Sequence, residues 1–338
     1  MAIFNRLDPT KRYLITGAAG FIGSHLAAKL AKQGATVVGY DNINDYYDVN
    51  LKLARIKNLE VYPNFKFIRG DLAEQHSVDS LFKNERPDYV INLAAQAGVR
   101  YSIVNPRAYI TSNLVGFFNI LEACRHNEIA HLLYASSSSV YGDRSETPFS
   151  TRDRVDEPLS LYAATKRSNE ILAFSYSHLY KLPTTGLRFF TVYGPWGRPD
   201  MAAFIFARKI FANEPIELYN NGDMYRDFTY IDDIVQGVEN MICNPPKPDA
   251  HGNPVKIYNI GNNKPEKLAD FVAIIERLIG RQAQKKYLPM QPGDVYQTYA
   301  DVDDLVHDFD FRPNTPIEVG LARFIQWYRE YYQPESVD

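Results

Sequence analysis

The chain has 338 residues, 45% hydrophobic and 23% charged, enough for a full apolar core and too evenly mixed for a disordered or fibrous protein. A net charge of -3 with no Lys/Arg block argues against a nucleic-acid surface, and no apolar run nears the roughly 18 residues a membrane helix needs. Cys124 and Cys243 stand too far apart for a disulfide framework or a metal site, and MAIFNRLDPT lacks the basic start and apolar run of a secretion signal, so a soluble cytoplasmic protein is expected.

From Arg12 to Arg188 short apolar runs alternate with helical periods, the signature of a parallel sheet with helices on both faces. YLIT (13–16) leads into TGAAGFIGSHLAAKL, where Gly17, Gly20 and Gly23 follow a strand and open a helix predicted over 20–33. In that context the first glycine makes a tight turn, the second lets backbone approach a pyrophosphate, and the third permits close helix–sheet packing. TVVGY (36–40) ends at Asp41, 18 residues after Gly23 (41 − 23), where a carboxylate can accept both adenosine ribose hydroxyls. No arginine adjoins Asp41, so a 2′-phosphate would be repelled and NAD is favoured over NADP.

FKFIRG (65–70) ends before Asp71 and Leu72, and YVINLAA (89–95) ends at Ala94 and Ala95, small enough to leave room for a cofactor backbone. Both are strand C-termini, the edge at which an open parallel sheet binds ligands. Helices are predicted over 74–84, 105–127 and 161–181. HLLYASS (131–137) runs into ASSSSVYG, four hydroxyls that cannot pack a core without partners. In LYAATKRSNE, Tyr162 and Lys166 are four apart on one helix face. A free phenol titrates near ~10, and an ammonium a few ångströms away is expected to lower that value, giving a base for an alcohol proton. The spacing alone equally describes a packed tyrosine beside a solvated lysine; the glycine loop supplies the cofactor such a base would serve. TTGLRFF (184–190) is the last run, and after residue 194 come Pro/Gly-punctuated pieces, GPWGRP, NNGDMYRD, NPPKPDAHGNP and MQPGD. A smaller region packed against the sheet is expected there, with 1–190 binding the dinucleotide, 191–338 the substrate, and some segments crossing between them.

The TGxxGFIG loop, Asp41, the serine run ending VYG and YxxxK together resemble the extended short-chain dehydrogenase/reductase family of nucleotide-sugar enzymes, over nearly the whole chain. The resemblance implies a Rossmann-type α/β fold with a doubly wound parallel sheet and a smaller C-terminal α/β substrate region. It also implies NAD, a UDP-sugar substrate, no metal, and a catalytic trio of Ser137, Tyr162 and Lys166. Cofactor contacts are implied at Gly17, Gly20, Phe21, Ile22, Gly23, Asp41, Asn42, Asp71, Leu72, Leu93, Ala94, Ala95, Asn113, Ser136, Tyr162 and Lys166. The phrases NLAAQAGVRYSI, SSSSVYG, SLYAATK, GLRFFTVYGPWGRPDMA, RDFTYIDD and QPGDV resemble the UDP-glucuronate 4-epimerase group, known also as capsular polysaccharide epimerases.

Departures from related groups narrow the expectation. Nucleotide-sugar 4,6-dehydratases place Asp-Glu where this chain has Ser138 and Ser139, and UDP-glucuronate decarboxylases place a glutamate at the second position. UDP-galactose 4-epimerases have asparagine at Thr191 and lack GPWGRPDM, which brings in Arg198. Thr191, Arg198 and Arg100 are candidate clamps for a substrate carboxylate, and Ser139 is expected near the reacting oxygen. The resemblance puts Arg226 on the phosphates, Asp294 on the uridine ribose and Leu218 and Tyr219 near the uracil, while Gln291 stands where galactose epimerases carry a phosphate-binding arginine. It further implies a homodimer through the helices 105–127 and 161–181, which bear Phe117, Phe118, Leu121, Leu172 and Phe174. The implied activity is inversion at carbon 4 of UDP-glucuronate. The alternatives are a UDP-glucuronate decarboxylase, a 4-epimerase of another UDP-hexose and, from another class, a non-catalytic NAD-binding regulator on the same fold.

Overall fold

The structure is a computed structural model that describes residues 3–290 and 294–334. Six apolar runs form β1 (Arg12–Thr16), β2 (Thr36–Asp41), β3 (Phe65–Arg69), β4 (Tyr89–Asn92), β5 (His131–Ser137) and β6 (Thr184–Phe189). β6 is buried at every residue and β1 at all but its first, as strands covered by helices on both faces must be. Further along come β7 (Thr191–Tyr193), β8 (Ile216–Leu218), β9 (Tyr225–Tyr230), β10 (Val255–Ile260), β11 (Pro265–Lys267) and β12 (Lys285–Tyr287). Among the described residues the main sheet has seven parallel strands in the order β10-β6-β5-β4-β1-β2-β3, with β10 paired to β6 from Val255 opposite Thr184 to Ile260 opposite Phe189. The chain leaves β1 toward β2 and β3, then returns to its other side as β4. That reversal opens a crevice at the C-terminal edge of the sheet.

The helices in chain order are α1 (Phe21–Lys32), α2 (Val49–Leu59), α3 (Gln75–Glu85), α4 (Tyr101–Val104), α5 (Pro106–Tyr109), α6 (Gly116–His126), α7 (Leu161–Tyr180), α8 (Ala202–Phe211), α9 (Ile231–Ile242), α10 (Leu268–Ile279), α11 (Asp303–Phe309) and α12 (Ile317–Tyr332). Two expectations need correction. α2 has no counterpart among the predicted helices, because its inner face buries Lys52 and Arg55 and so breaks the apolar period. The helix expected over 105–127 is interrupted: Pro106 starts α5, a π-helical turn spans Ile110–Val115, and only then does α6 begin. A π turn widens the helix locally and re-aims its side chains. Here it places Asn113 against the loop after β4.

Apolar clusters fill both faces of the sheet, one running through α1, α9, α10 and α12 and the other under α3, α6 and α7. Two small sheets, β11-β9-β7 and β12-β8, stand beyond the crevice and carry Thr191 and Arg226 on β7 and β9. No helix among the described residues is long and apolar enough to cross a membrane.

Candidate active site

The crevice is a cleft of about 420 Å³ running from the glycine loop to Arg226 and Asp294. Gly17 sits at φ +73°, and a Cβ there would meet the Ala94 backbone nitrogen at 2.7 Å; one on Gly23 would meet the Gly17 carbonyl oxygen at 2.1 Å. The loop therefore packs on itself and on the end of β4 more closely than any side chain permits. α1 starts at Phe21 with no side-chain cap, so its first amides are free for an anion. Asp41 is held by the amides of Ala19 (3.1 Å) and Ile43 (2.8 Å), with carboxylate lone pairs left over. These features fit the two halves of a dinucleotide: pyrophosphate at the helix start and a ribose diol at Asp41. Phe21, Ile22, Asn42, Asp71, Leu72, Leu93, Ala94 and Ala95 line the same part of the cleft.

The trio meets at the far end of β5. Ser160 caps α7 by accepting from the Ala163 amide at 3.1 Å, which fixes Tyr162 in the first turn. Ser137 ends β5 and accepts from the Ser139 amide (3.2 Å) and the Ser139 hydroxyl (2.9 Å). Lys166 Nζ donates to the Ala135 carbonyl at 2.8 Å and stands 6.0 Å from the centre of the Tyr162 ring. The expectation that Lys166 lowers the phenol is not met in this geometry. Burial raises Tyr162 above its ordinary value, and the opposing pulls come from Ser137 and Arg198, because the ammonium is aimed at Ala135. Burial and Arg198 push Lys166 down to about 8, so it keeps most of its proton at neutral pH.

Polar groups bury the frame behind the trio. Asn113 accepts from the Gln96 amide at 2.8 Å and donates to the Gln96 carbonyl (3.0 Å) and the Thr165 hydroxyl (3.1 Å), so its side chain is spent on the wall of the cleft. Ser136 lines the cleft but turns its hydroxyl to Glu170 Oε1 at 2.6 Å. Glu170 in turn takes a two-point contact from Arg188, at 2.8 and 2.9 Å, and both side chains are buried.

At the sugar end, Thr191, Arg198 and Ser139 line the cleft with Ser137 and Tyr162. The loop carrying Arg198 is held by Arg55, which reaches from α2 to donate to the carbonyls of Trp196 (2.7 Å), Gly197 (3.1 Å) and, on the glycine loop, Ala19 (2.9 Å). Trp196 accepts a left-handed φ of +60° there, strain that this clamp and the Trp327 ring, 5.3 Å away, can hold. Arg226 also lines the cleft and pairs with Asp294 at 2.8 Å. Arg100 is not beside Arg198: it lies over the Tyr219 ring at 4.7 Å and 3.8 Å from Asp294. Leu218 ends β8 with its side chain buried in the core, and neither it nor Tyr219 lines the cleft. Gln291 lies outside the described residues.

Over residues 13–261 the chain matches the family described as NAD dependent epimerase/dehydratase. The chain belongs to that family. It is 56% identical over 333 residues to Protein CapI of Staphylococcus aureus, covering 95% of this chain and 99% of that one. It is 46% identical over 334 residues to a probable UDP-glucuronate 4-epimerase of Rhizobium meliloti (strain 1021), covering 95% and 98%. The crystal structure of a UDP-glucuronic acid 4-epimerase from Bacillus cereus, in complex with UDP-glucuronic acid and NAD, superimposes with a TM-score of 0.87 at 33% identity, covering 95% of this chain and 100% of that one.

In this member of the epimerase/dehydratase family, several cleft residues escaped the sequence reading. Lys52 comes in from α2 near Asp41, so a cation does stand close to that carboxylate, though its ammonium is bonded to Asn44 at 2.6 Å. Tyr46, Gln96, Phe149 and Thr298 also line the cleft. Gln96 falls inside the phrase NLAAQAGVRYSI, where only its neighbours were read, and the other three sit in no motif. Asp200 had a signal: it is two residues from Arg198 across a proline, in a phrase from which only the arginine was read.

Proposed function

We propose that this protein inverts carbon 4 of UDP-glucuronate to UDP-galacturonate through a 4-keto sugar. The observation that carries the reading is a cation, Arg198, in the same cleft as the alcohol chemistry of Ser137 and Tyr162, with Thr191 beside it. The names of its relatives support the same substrate. NAD, when bound, supplies the acceptor and returning donor for the carbon 4 hydride. Tyr162 Oη takes the carbon 4 hydroxyl proton and gives it back, while Ser137 hydrogen-bonds the reacting oxygen as alcohol and as ketone. Lys166 has two ammonium protons beyond its bond to Ala135, suited to the nicotinamide ribose hydroxyls. Arg226 and Asp294 grip the UDP, so the keto sugar can turn about its phosphate link and present its other face.

A 4-keto uronate is a β-keto acid and loses carbon dioxide when its carboxylate bond aligns with the carbonyl π system. A two-point hold by Arg198, with Thr191, keeps it out of that alignment. Arg198→Ala is therefore expected to impair UDP-glucuronate turnover by roughly ten- to a hundredfold, the worth of a charge-assisted pair, and to spare any UDP-glucose turnover. Steady-state rates on both substrates check this; equal losses on the two would place Arg198 on the diphosphate instead.

The same reading assigns residues 1–190 to NAD and 191–338 to the nucleotide sugar, with β10 crossing back into the sheet, and a cytoplasmic role supplying a uronate for polysaccharide synthesis. A homodimer also belongs to it. Phe117 and Leu121 are buried against the chain's own sheet, but Val115, Phe118, Ile171 and Phe174 remain 43–55% exposed on adjoining helices. Such a stripe suits a second copy. Sedimentation at micromolar concentration is expected to give twice the chain mass; a monomer alone refutes the dimer.

A further inference from the structure

Arg198 does not stand in the cleft as a bare cation. Its Nε and Nη2 donate to the two carboxylate oxygens of Asp200 at 3.0 and 2.5 Å, and Tyr46 Oη donates to Asp200 Oδ2 at 3.0 Å. Burial, then the Asp200 charge, raises the Tyr46 phenol, so it stays a donor. The loop above is shaped around this pair: Gly98 is at φ +97°, and a Cβ there would lie 2.5 Å from Tyr46 Oη. Nη1 of Arg198 has no hydrogen-bond partner among the described residues, and Arg198, not Asp200, faces the cleft.

A guanidinium offers a carboxylate two bidentate edges, side-on through Nε and Nη2 or end-on through Nη1 and Nη2. Asp200 occupies the first. We propose that Asp200, steadied by Tyr46, is a positioning residue that leaves Arg198 one edge for the substrate carboxylate and so fixes the pose in which the uronate is held. The inference rests on the reading that Arg198 holds that carboxylate. With the side-on edge open, a uronate can dock in a second pose, turned toward the alignment that releases carbon dioxide.

The pairing also reaches the base. The charged and titratable groups around Tyr162 are Lys166 on α7, Tyr109 on α5, and Arg198 with Asp200 on the loop after β7, with Tyr46 behind Asp200. Arg198 favours the phenolate and Asp200 opposes it. Removing the Asp200 charge leaves the cation unopposed.

The test is Asp200→Asn, which keeps the volume, with Tyr46→Phe as a milder second variant that carries the test if the first does not fold. Expected for Asp200→Asn on UDP-glucuronate are an acid limb of the kcat/KM profile moved down by roughly half a pH unit or more and a UDP-pentose by-product that the parent does not make. Tyr46→Phe should move both readouts the same way and less far. A parent-like limb and no pentose in both variants, with Arg198→Ala still selective against the uronate, overturn the role of Asp200 alone. If Arg198→Ala instead costs both substrates equally, the carboxylate reading fails and this inference falls with it.

Discussion

Tyr162→Phe is expected to keep the fold and dinucleotide binding and to lose about 10²- to 10⁴-fold of turnover, the usual worth of a positioned general base. The ring is half a packing residue: its edge meets Tyr109 at 6.0 Å, and phenylalanine preserves that contact. Only the oxygen goes, and with it the hydrogen bond to Ser137 and the one atom able to take the carbon 4 proton. Burial raises this phenol, and Ser137 and Arg198 oppose the rise, so the base is poised by its surroundings and not by spacing to Lys166. Rates measured with bound NAD quantified alongside check the role. A variant with full NAD content and more than about a tenth of the parent rate would remove Tyr162 from the proton path.

Glu170→Ala is expected to destabilise the protein by about 3–5 kcal/mol, because it strips the partner from a buried cation. Arg188 and Glu170 are both only 2% exposed, and the carboxylate also accepts from Ser136 at 2.6 Å. Arg188 reaches on to Tyr141 Oη at 3.0 Å, which donates to Asn259 on β10 at 2.6 Å. One carboxylate thus ties α7, β5, β6 and β10 together directly beneath Ser137. Denaturant unfolding of Glu170→Ala, and of a Glu170→Met, Arg188→Met pair, separates the causes. The single change should be far worse than the double, since apolar replacement of a whole buried pair is often neutral; equal losses would mean the pair is ordinary packing.

The strands were legible because a parallel sheet buries both faces, so β1, β4 and β5 carry short apolar stretches at 13–15, 89–91 and 132–135, while β6 was marked by Leu187 and Phe189 despite Thr184, Thr185 and Arg188 among them. The glycine loop was legible because its three glycines are forced by backbone contact, at Gly17 with Ala94 and at Gly23 with Gly17. What stayed hidden depends on tertiary partners. α2 carries buried Lys52 and Arg55, whose bonds go to Asn44 and to carbonyls as far away in sequence as Trp196, and no local period records that. The break before α6 sets Asn113 to bond Gln96, a contact across 17 residues that no local period records. Asp200 was in view but not read, since an aspartate near an arginine is usually a surface pair. Here the pair is three-quarters buried and fastened by Tyr46, which lies 154 residues away.

The proposed reaction inverts the carbon 4 centre and keeps the carboxylate. Its most direct test is to incubate the purified protein with UDP-glucuronate, with no NAD added beyond what it carries, and to separate the products. Expected are UDP-galacturonate in equilibrium with the substrate, no UDP-pentose and no accumulating NADH. A UDP-pentose product, or turnover of UDP-glucose with none of UDP-glucuronate, would contradict it.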